Sequence, residues 1–437
     1  MAKGPRQADH SIQAGLGGGL DRVSSAISSQ MAHLTHGRNT MKKIRIALVA
    51  TSAALFSASY ASACAVDGAG LSILSAAFPA VEALQDESAA CGAATERDQE
   101  HKDKINAALA ANPSAYNAVL GANSTFTAAN SEGLVAVITD VPGVADLPTS
   151  MKVEQDGEVV AIAVGANAQH LMVRADVLEA TGMDMPSTYE EVLALADAAK
   201  AAGLMEYPLT GTYAAGWNLG EEFVNMWQAT GEPMFVNGTE ANIQNDAGIA
   251  TLNMMKELTS RMNPDFLTFN SDAVQAQFEQ GTAGIANLWG TRAQKVIDGG
   301  AALGVEVVMG SAPTMGGGST PASTLWWDGY FFAANQSEED LARAVALAID
   351  SADADMLAKG DNMSLFVWMM DAYEATPAAA GVFATAGNGV PAYPMYSHMG
   401  KMHTALGAEL TEFLSGQESA EQALADVVAA YNAALAE

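Results

Sequence analysis

From about residue 64 onward, short apolar runs alternate with longer stretches in which apolar residues recur every three or four positions. The runs at 71–75, 158–164, 283–289 and 330–333 predict strands. Pro79 opens a predicted helix that reaches about residue 90. Ser187-Thr188-Tyr189-Glu190-Glu191 follows Pro186 and offers a capping box ahead of Val192, Leu195 and Ala199; Gly203 closes that helix. Asn245-Asp246, Ser337-Glu338-Glu339-Asp340 and Ser419-Ala420-Glu421-Gln422 open three more. Their inward faces read Ile249, Leu252 and Met255; Leu341, Val345 and Ile349; and Leu424, Val428, Tyr431 and Leu435. Strands alternating with amphipathic helices predict an α/β protein with mixed sheets flanked by helices. No internal repeat interrupts the series, and Gly316-Gly317-Gly318-Ser319 reads as a flexible loop.

The first 63 residues break this pattern. Met41-Lys42-Lys43-Ile44-Arg45 is a short basic stretch, Ile46 through Tyr60 is uncharged and rich in apolar and small residues, and Ala61-Ser62-Ala63 is an A-x-A cleavage site. Together they read as a secretory signal peptide at 41–63, with the exported protein starting at Cys64. Residues 1–40 have no apolar period, contain Gly17-Gly18-Gly19 and a second Met31, and are expected to be a non-native or mis-called upstream segment. The remainder exceeds one ordinary domain and suggests two lobes. It has no uninterrupted apolar run of membrane-spanning length.

Charge narrows the partners. The chain has 20 Lys+Arg against 50 Asp+Glu, a net charge of −30, and seven of those basic residues fall before residue 64. Such a surface repels phosphate backbones and anionic lipid, which argues against nucleic-acid and membrane partners. It suits solubility in salty surroundings and says little about a ligand. The two cysteines, Cys64 and Cys91, both lie in the exported part. A helix that follows a strand runs back beside it, so Cys91 should return near Cys64, and an oxidising compartment favours a disulfide. The alternative is lipidation of Cys64, for which Ala61 stands where a lipobox usually has Leu.

Catalytic signatures are missing. There is no G-x-S-x-G elbow, no H-E-x-x-H helix and no phosphate-binding loop. None of the histidines after residue 63 stands at metal-ligand spacing from another His or Cys, and Asp350, Asp353, Asp355 and Asp361 do not fit a calcium loop. No cofactor or metal is called for. What is enriched is a set of loops pairing aromatics with neutral polar groups: Thr210 to Asn218, Asn287 to Arg292, Leu325 to Tyr330 and Val390 to Tyr396. Flat rings suit the C–H faces of sugars, and amides, carboxylates and guanidinium suit their hydroxyls. Trp326 and Trp327 alternate along the chain, so one of them should pack inward.

These segments, in this order after a secretion signal, resemble the family 1 extracellular (periplasmic) solute-binding proteins of ABC transporters, carbohydrate-binding branch. The resemblance runs from about Leu71 to Glu437. It is carried by Tyr116-Asn117-Ala118-Val119, where the family has Asp at the second position, and by the run from Gly157 to Val164 with Asn167 after it. Arg174-Ala175-Asp176-Val177-Leu178, the stretch from Phe278 to Ile285, Trp327-Asp328-Gly329-Tyr330 and the stretch from Ser415 to Leu424 continue it. It implies a two-lobed periplasmic-binding-protein fold, type II-like, with a ligand cleft between the lobes. One lobe would comprise 64–165 and 329–376, the other 166–328 and 377–437.

Carried across by the resemblance, Phe78, Asn123, Ser124 and Thr125 would serve the site from the first lobe. Asn167 and Gln169 would do so at the crossing. Tyr213, Trp217, Asn218, Trp289 and Arg292 would act from the second lobe, with Trp327 and Asp328 near the second crossing and Tyr396 beyond. The expected function is capture of a neutral sugar, oligosaccharide or polyol by a monomer in the periplasm and its delivery to a membrane permease, without chemistry. One alternative keeps the fold and binds a polyamine or quaternary amine, which carboxylates beyond Asp328 in the cleft would favour. Another is an exported carbohydrate-active enzyme, which needs two acids at catalytic separation.

Overall fold

The computed structural model describes residues 64–98 and 101–436. The expected signal peptide at 41–63 and the expected upstream segment 1–40 lie outside the described residues. In chain order the strands are β1 Ser72–Ser75, β2 Ala94–Arg97, β3 Ala118–Ala122, β4 Lys152–Gln155, β5 Glu158–Asn167, β6 Gln169–Arg174, β7 Leu209–Thr210, β8 Phe235–Val236, β9 Glu240–Ala241, β10 Ile285–Trp289, β11 Val307–Met309, β12 Trp326–Phe332 and β13 Val367–Trp368. A seven-stranded sheet has the order β13-β5-β12-β3-β1-β2, with β4 paired to β5; a four-stranded sheet has the order β11-β6-β10-β7. β8 and β9 make a separate hairpin.

Both sheets are mixed. β1 runs parallel to β2 and β3, while β12 inserts antiparallel between β3 and β5. Helices cover both faces of the larger sheet, so its central strands are apolar almost throughout rather than alternating. Alternate residues of β1 show the two faces. Leu74 packs with Val119, Phe126 and Phe331, whereas Ile73 packs in the other core with Leu84, Val345 and Tyr330.

The expected caps are present. Thr188 and Glu191 make the reciprocal capping box, and Ser187 donates its hydroxyl to Glu191 as well. Asn245, Ser337 and Ser419 accept from the first turns of their helices. Cys64 and Cys91 are joined by a disulfide with their Cα atoms 5.5 Å apart. Cys91 caps the Pro79–Ala90 helix, and its carbonyl accepts from Gly68 at 2.8 Å. Among the described residues no helix is long and apolar enough to cross a membrane.

One strand differs from expectation. β12 begins at Trp326, not at residue 330, because Trp326 and Trp327 extend its pairing to Asn167 and Ala166 across a bulge between Asp328 and Gly329. Aromatic residues fit a pleated surface between neighbours, and that outweighs a turn at Asp328-Gly329. The two sheets meet at this point. β5 ends at Asn167 and β6 starts at Gln169; Trp326 pairs with Asn167, and Trp289 at the end of β10 pairs with Gln169.

Candidate functional site

A cavity of 320 Å³ opens at this junction. From the larger sheet it is lined by Ala76 and Phe78 after β1, by Ala122, Ser124 and Thr125 at the end of β3, by Asn167 of β5, and by Trp326 and Asp328 of β12. Facing them are Trp217, Asn218, Asn270, Ser271, Asp272, Trp289, Thr291 and Arg292; His101 and Lys102 close one side. Strand order reverses between β1 and β3, with connections leaving to opposite sides, and such a switch point leaves a crevice at the carboxyl ends of the strands.

Four helices begin at this cavity: Pro79–Ala90, Asn123–Ser131, Trp217–Gln228 and Ser271–Glu279. The first three have no side-chain cap, while Asn270 caps the fourth by accepting from Ala273 at 3.0 Å. Gly216 turns the chain into the third helix at φ 91°, a conformation open to glycine and strained for other residues. Helix starts present unpaired N–H groups and a partial positive charge, which suit electronegative ligand atoms.

The aromatic wall is continuous. Trp326 meets Trp217 and Trp289 edge-on, with ring centres 5.8 and 5.6 Å apart, and lies 4.1 Å from Tyr393. Trp326 donates its indole N–H to Thr324 Oγ1 at 2.7 Å; that hydroxyl is 2.9 Å from Glu221 and 2.6 Å from Asn225. Behind Trp217 the imidazole of His403 stacks at 4.9 Å and bonds the Trp217 carbonyl at 2.7 Å. Burial holds that imidazole neutral, down to about 4, and pushes the Glu221 carboxyl well above the carboxylate range.

Charge in the cavity is balanced. Arg292 pairs with Asp272 at 2.9 Å, and Lys102 sits 5.2 Å above the Trp217 ring. Asp328 is 7 % exposed, and burial alone pushes its carboxyl up to about 7. Asn167 is 8 % exposed, and its side-chain oxygen has no hydrogen-bond partner among the described residues. A buried acceptor left unpaired costs free energy that an arriving hydroxyl donor recovers.

A profile described as the bacterial extracellular solute-binding protein family matches residues 93–359. The chain belongs to that family. Among curated proteins nothing matches it. Solved structures similar to this solute-binding protein include an ABC transporter solute-binding protein of Agrobacterium radiobacter in complex with ribitol, at 18 % identity and TM-score 0.71, covering 83 % of this chain and 98 % of that one. Another is an ABC transporter solute-binding protein of Agrobacterium vitis with bound D-mannitol, at 17 % identity and TM-score 0.70, covering 84 % and 98 %. A third is maltose-bound MalE3 of T. maritima, at 17 % identity and TM-score 0.67, covering 83 % and 99 %. The fold is the two-lobed α/β fold of periplasmic binding proteins.

In this solute-binding protein the cavity gathers nine residues expected from the sequence: Phe78, Ser124, Thr125, Asn167, Trp217, Asn218, Trp289, Arg292 and Asp328. Five others lie elsewhere. Trp327 points into the core against Phe126, with ring centres 5.4 Å apart, because neighbours on a strand face opposite ways and its partner Trp326 takes the cavity face. Gln169 is fully buried beneath the cavity, where it donates to Glu222 at 2.7 Å and Thr212 at 3.1 Å and accepts from Asn287 at 3.2 Å. Tyr213 is buried edge-on to Phe266. Asn123 is fully buried at the start of its helix. Tyr396 lines a neighbouring cavity and stacks on His398.

Several lining residues escaped the sequence reading. Trp326 was legible from the alternation, since Asp328 shares its strand face. Thr291 lies between Trp289 and Arg292, and Asn270-Ser271-Asp272 carries a cap signature. His101, Lys102, Ala76 and Ala122 carry no local signal that would single them out.

Proposed function

We propose that this protein captures a neutral sugar, oligosaccharide or polyol in the cavity and delivers it to the permease of an ABC importer without altering it. The observation that carries this reading is the joined wall of Trp217, Trp289 and Trp326 facing neutral polar groups and the unpaired Asn167 oxygen. Rings cover the C–H faces of such a ligand; Asn167, Asn218, Ser124, Thr125 and Asp328 meet its hydroxyls. The ribitol, D-mannitol and maltose held by proteins of the same fold support the ligand class.

The protein acts as a monomer in the periplasm after export through residues 41–63. Its lobes comprise 64–165 with 329–376 and 166–328 with 377–437; the larger and smaller sheets support this division except at Ala166–Asn167 and Trp326–Asp328, which belong to strands of the larger sheet. Asp272 is a second carboxylate at the cavity, the feature that would favour a cationic ligand, but Arg292 holds it. Lys102 and four helix starts add positive potential, which opposes a cation.

Thermal shift over a panel of monosaccharides, oligosaccharides, polyols and polyamines, followed by calorimetry on each hit, tests the reading. A ligand that binds the native state raises the melting point by mass action. A carbohydrate or polyol hit is expected; hits confined to polyamines, or none, would refute it.

A further inference from the structure

A second cavity of 820 Å³ adjoins the first and is larger than it. The two share Lys102, Ser124, Thr125, Trp217 and Asn218 as walls. Ligand cavities commonly span roughly 300–1,000 Å³, so the first alone is near the lower limit and has room for a small ligand only. We propose that the two cavities form one cleft for a linear oligosaccharide whose chain passes Trp217, so that the second cavity holds further sugar units. This rests on the carbohydrate reading above and narrows it.

The surfaces continue from one cavity into the other. The aromatic wall runs from Trp289 and Trp326 in the first to Trp217 at the junction, and on to His403 and Tyr393 in the second. Lys102 stands over Trp217, where its ammonium can donate to hydroxyls on either side of the junction. Beyond the junction, the far wall is one face of the Met399–Leu414 helix. Gly400, Thr404, Ala408 and Thr411 recur there at helical spacing, and all four line the space. Thr404 and Ala408 are exposed, and a Cβ added at Gly400 would meet nothing. Rings, a lysine and hydroxyls in that order suit a chain of sugars, whereas a lone polyol or monosaccharide would leave the larger cavity unused.

Titration calorimetry on the full exported chain tests this with mannitol, glucose, xylose, maltose, maltotriose, cellobiose, cellotriose and xylotriose. The expected result is a trisaccharide bound at least about tenfold more tightly than the monosaccharide of the same sugar. Thr404→Trp and Gly400→Trp, which fill only the second cavity, should abolish that gain while leaving monosaccharide or polyol binding unchanged. Melting curves confirm that both variants fold. A monosaccharide or polyol bound as tightly as any oligomer, or a trisaccharide indifferent to both variants, would overturn the inference and leave the carbohydrate reading intact. Absence of binding by every probe would overturn both.

Discussion

Asp328 offers a quantitative test because its carboxyl is displaced by a single cause. It shares a strand face with Trp326 at the cavity wall, and burial pushes it from 3.8 up to about 7. Below pH 3.8 the group is neutral in both folded and unfolded chains and has no effect on stability. As pH rises toward 7 the unfolded chain releases its proton while the folded chain keeps it, so stability falls. Above about 7 both states are ionised and the loss stays constant. About three pH units at 1.36 kcal/mol each come to a loss on the order of 4 kcal/mol. Asp328→Asn removes the charge and nearly keeps the shape. The variant should match the parent near pH 4 and be more stable at pH 7.5, by up to that amount. Glu221 and Glu222, also displaced upward by burial, are common to both proteins and drop out of the difference. Affinity should move the other way. A hydrogen bond to a charged group is worth about 1.5–3 kcal/mol, so carbohydrate binding at pH 7.5 should weaken about tenfold or more. Guanidinium unfolding of both proteins at pH 4, 5.5 and 7.5, paired with calorimetric titration, measures both effects. A stability difference that does not grow between pH 4 and 7.5 would refute the reasoning.

Trp289→Ala should weaken carbohydrate binding by about tenfold or more, since it removes one ring of the wall, whereas Trp327→Phe should leave affinity unchanged and lower stability only. Calorimetry with matched melting curves separates the two. Cys91→Ser should lower stability by about 3 kcal/mol through loss of the 27-residue cross-link, read from guanidinium unfolding with and without reductant. Thr188→Ala breaks the capping box far from the cavity and should lower stability by about 1 kcal/mol with no change in affinity.

Local signals in the sequence carried far. Caps at Thr188, Asn245, Ser337 and Ser419 rest on contacts within one turn, so residue order alone reveals them. In the larger sheet β1 and β5 were legible because covered faces leave unbroken apolar runs, whereas β2 and β4 are mostly unburied and carry no such run. The site was legible where a polar or aromatic residue stands directly at a strand end, as Asn167 and Trp289 do. It was less so where burial decides the outcome. Gln169 and Tyr213 have the chemistry of ligand contacts, yet tertiary packing turns them into a buried layer around Glu222. Trp327 and Asp328 cannot both face the cavity, since successive strand residues point apart. The strand starts at Trp326, four residues before its apolar run at 330–333, and that start decides which of the two faces the cavity. Lys102 reaches the cavity only because a one-turn helix at 101–103 is placed beside Trp217 by the larger fold, and no spacing encodes that.

The most direct test is a crystal structure of residues 64–437 with the carbohydrate or polyol that binds best. The ligand should sit against Trp217, Trp289 and Trp326, with its hydroxyls on Asn167 and Asp328. A ligand held away from those three rings, with the Asn167 oxygen still unpaired, would contradict it.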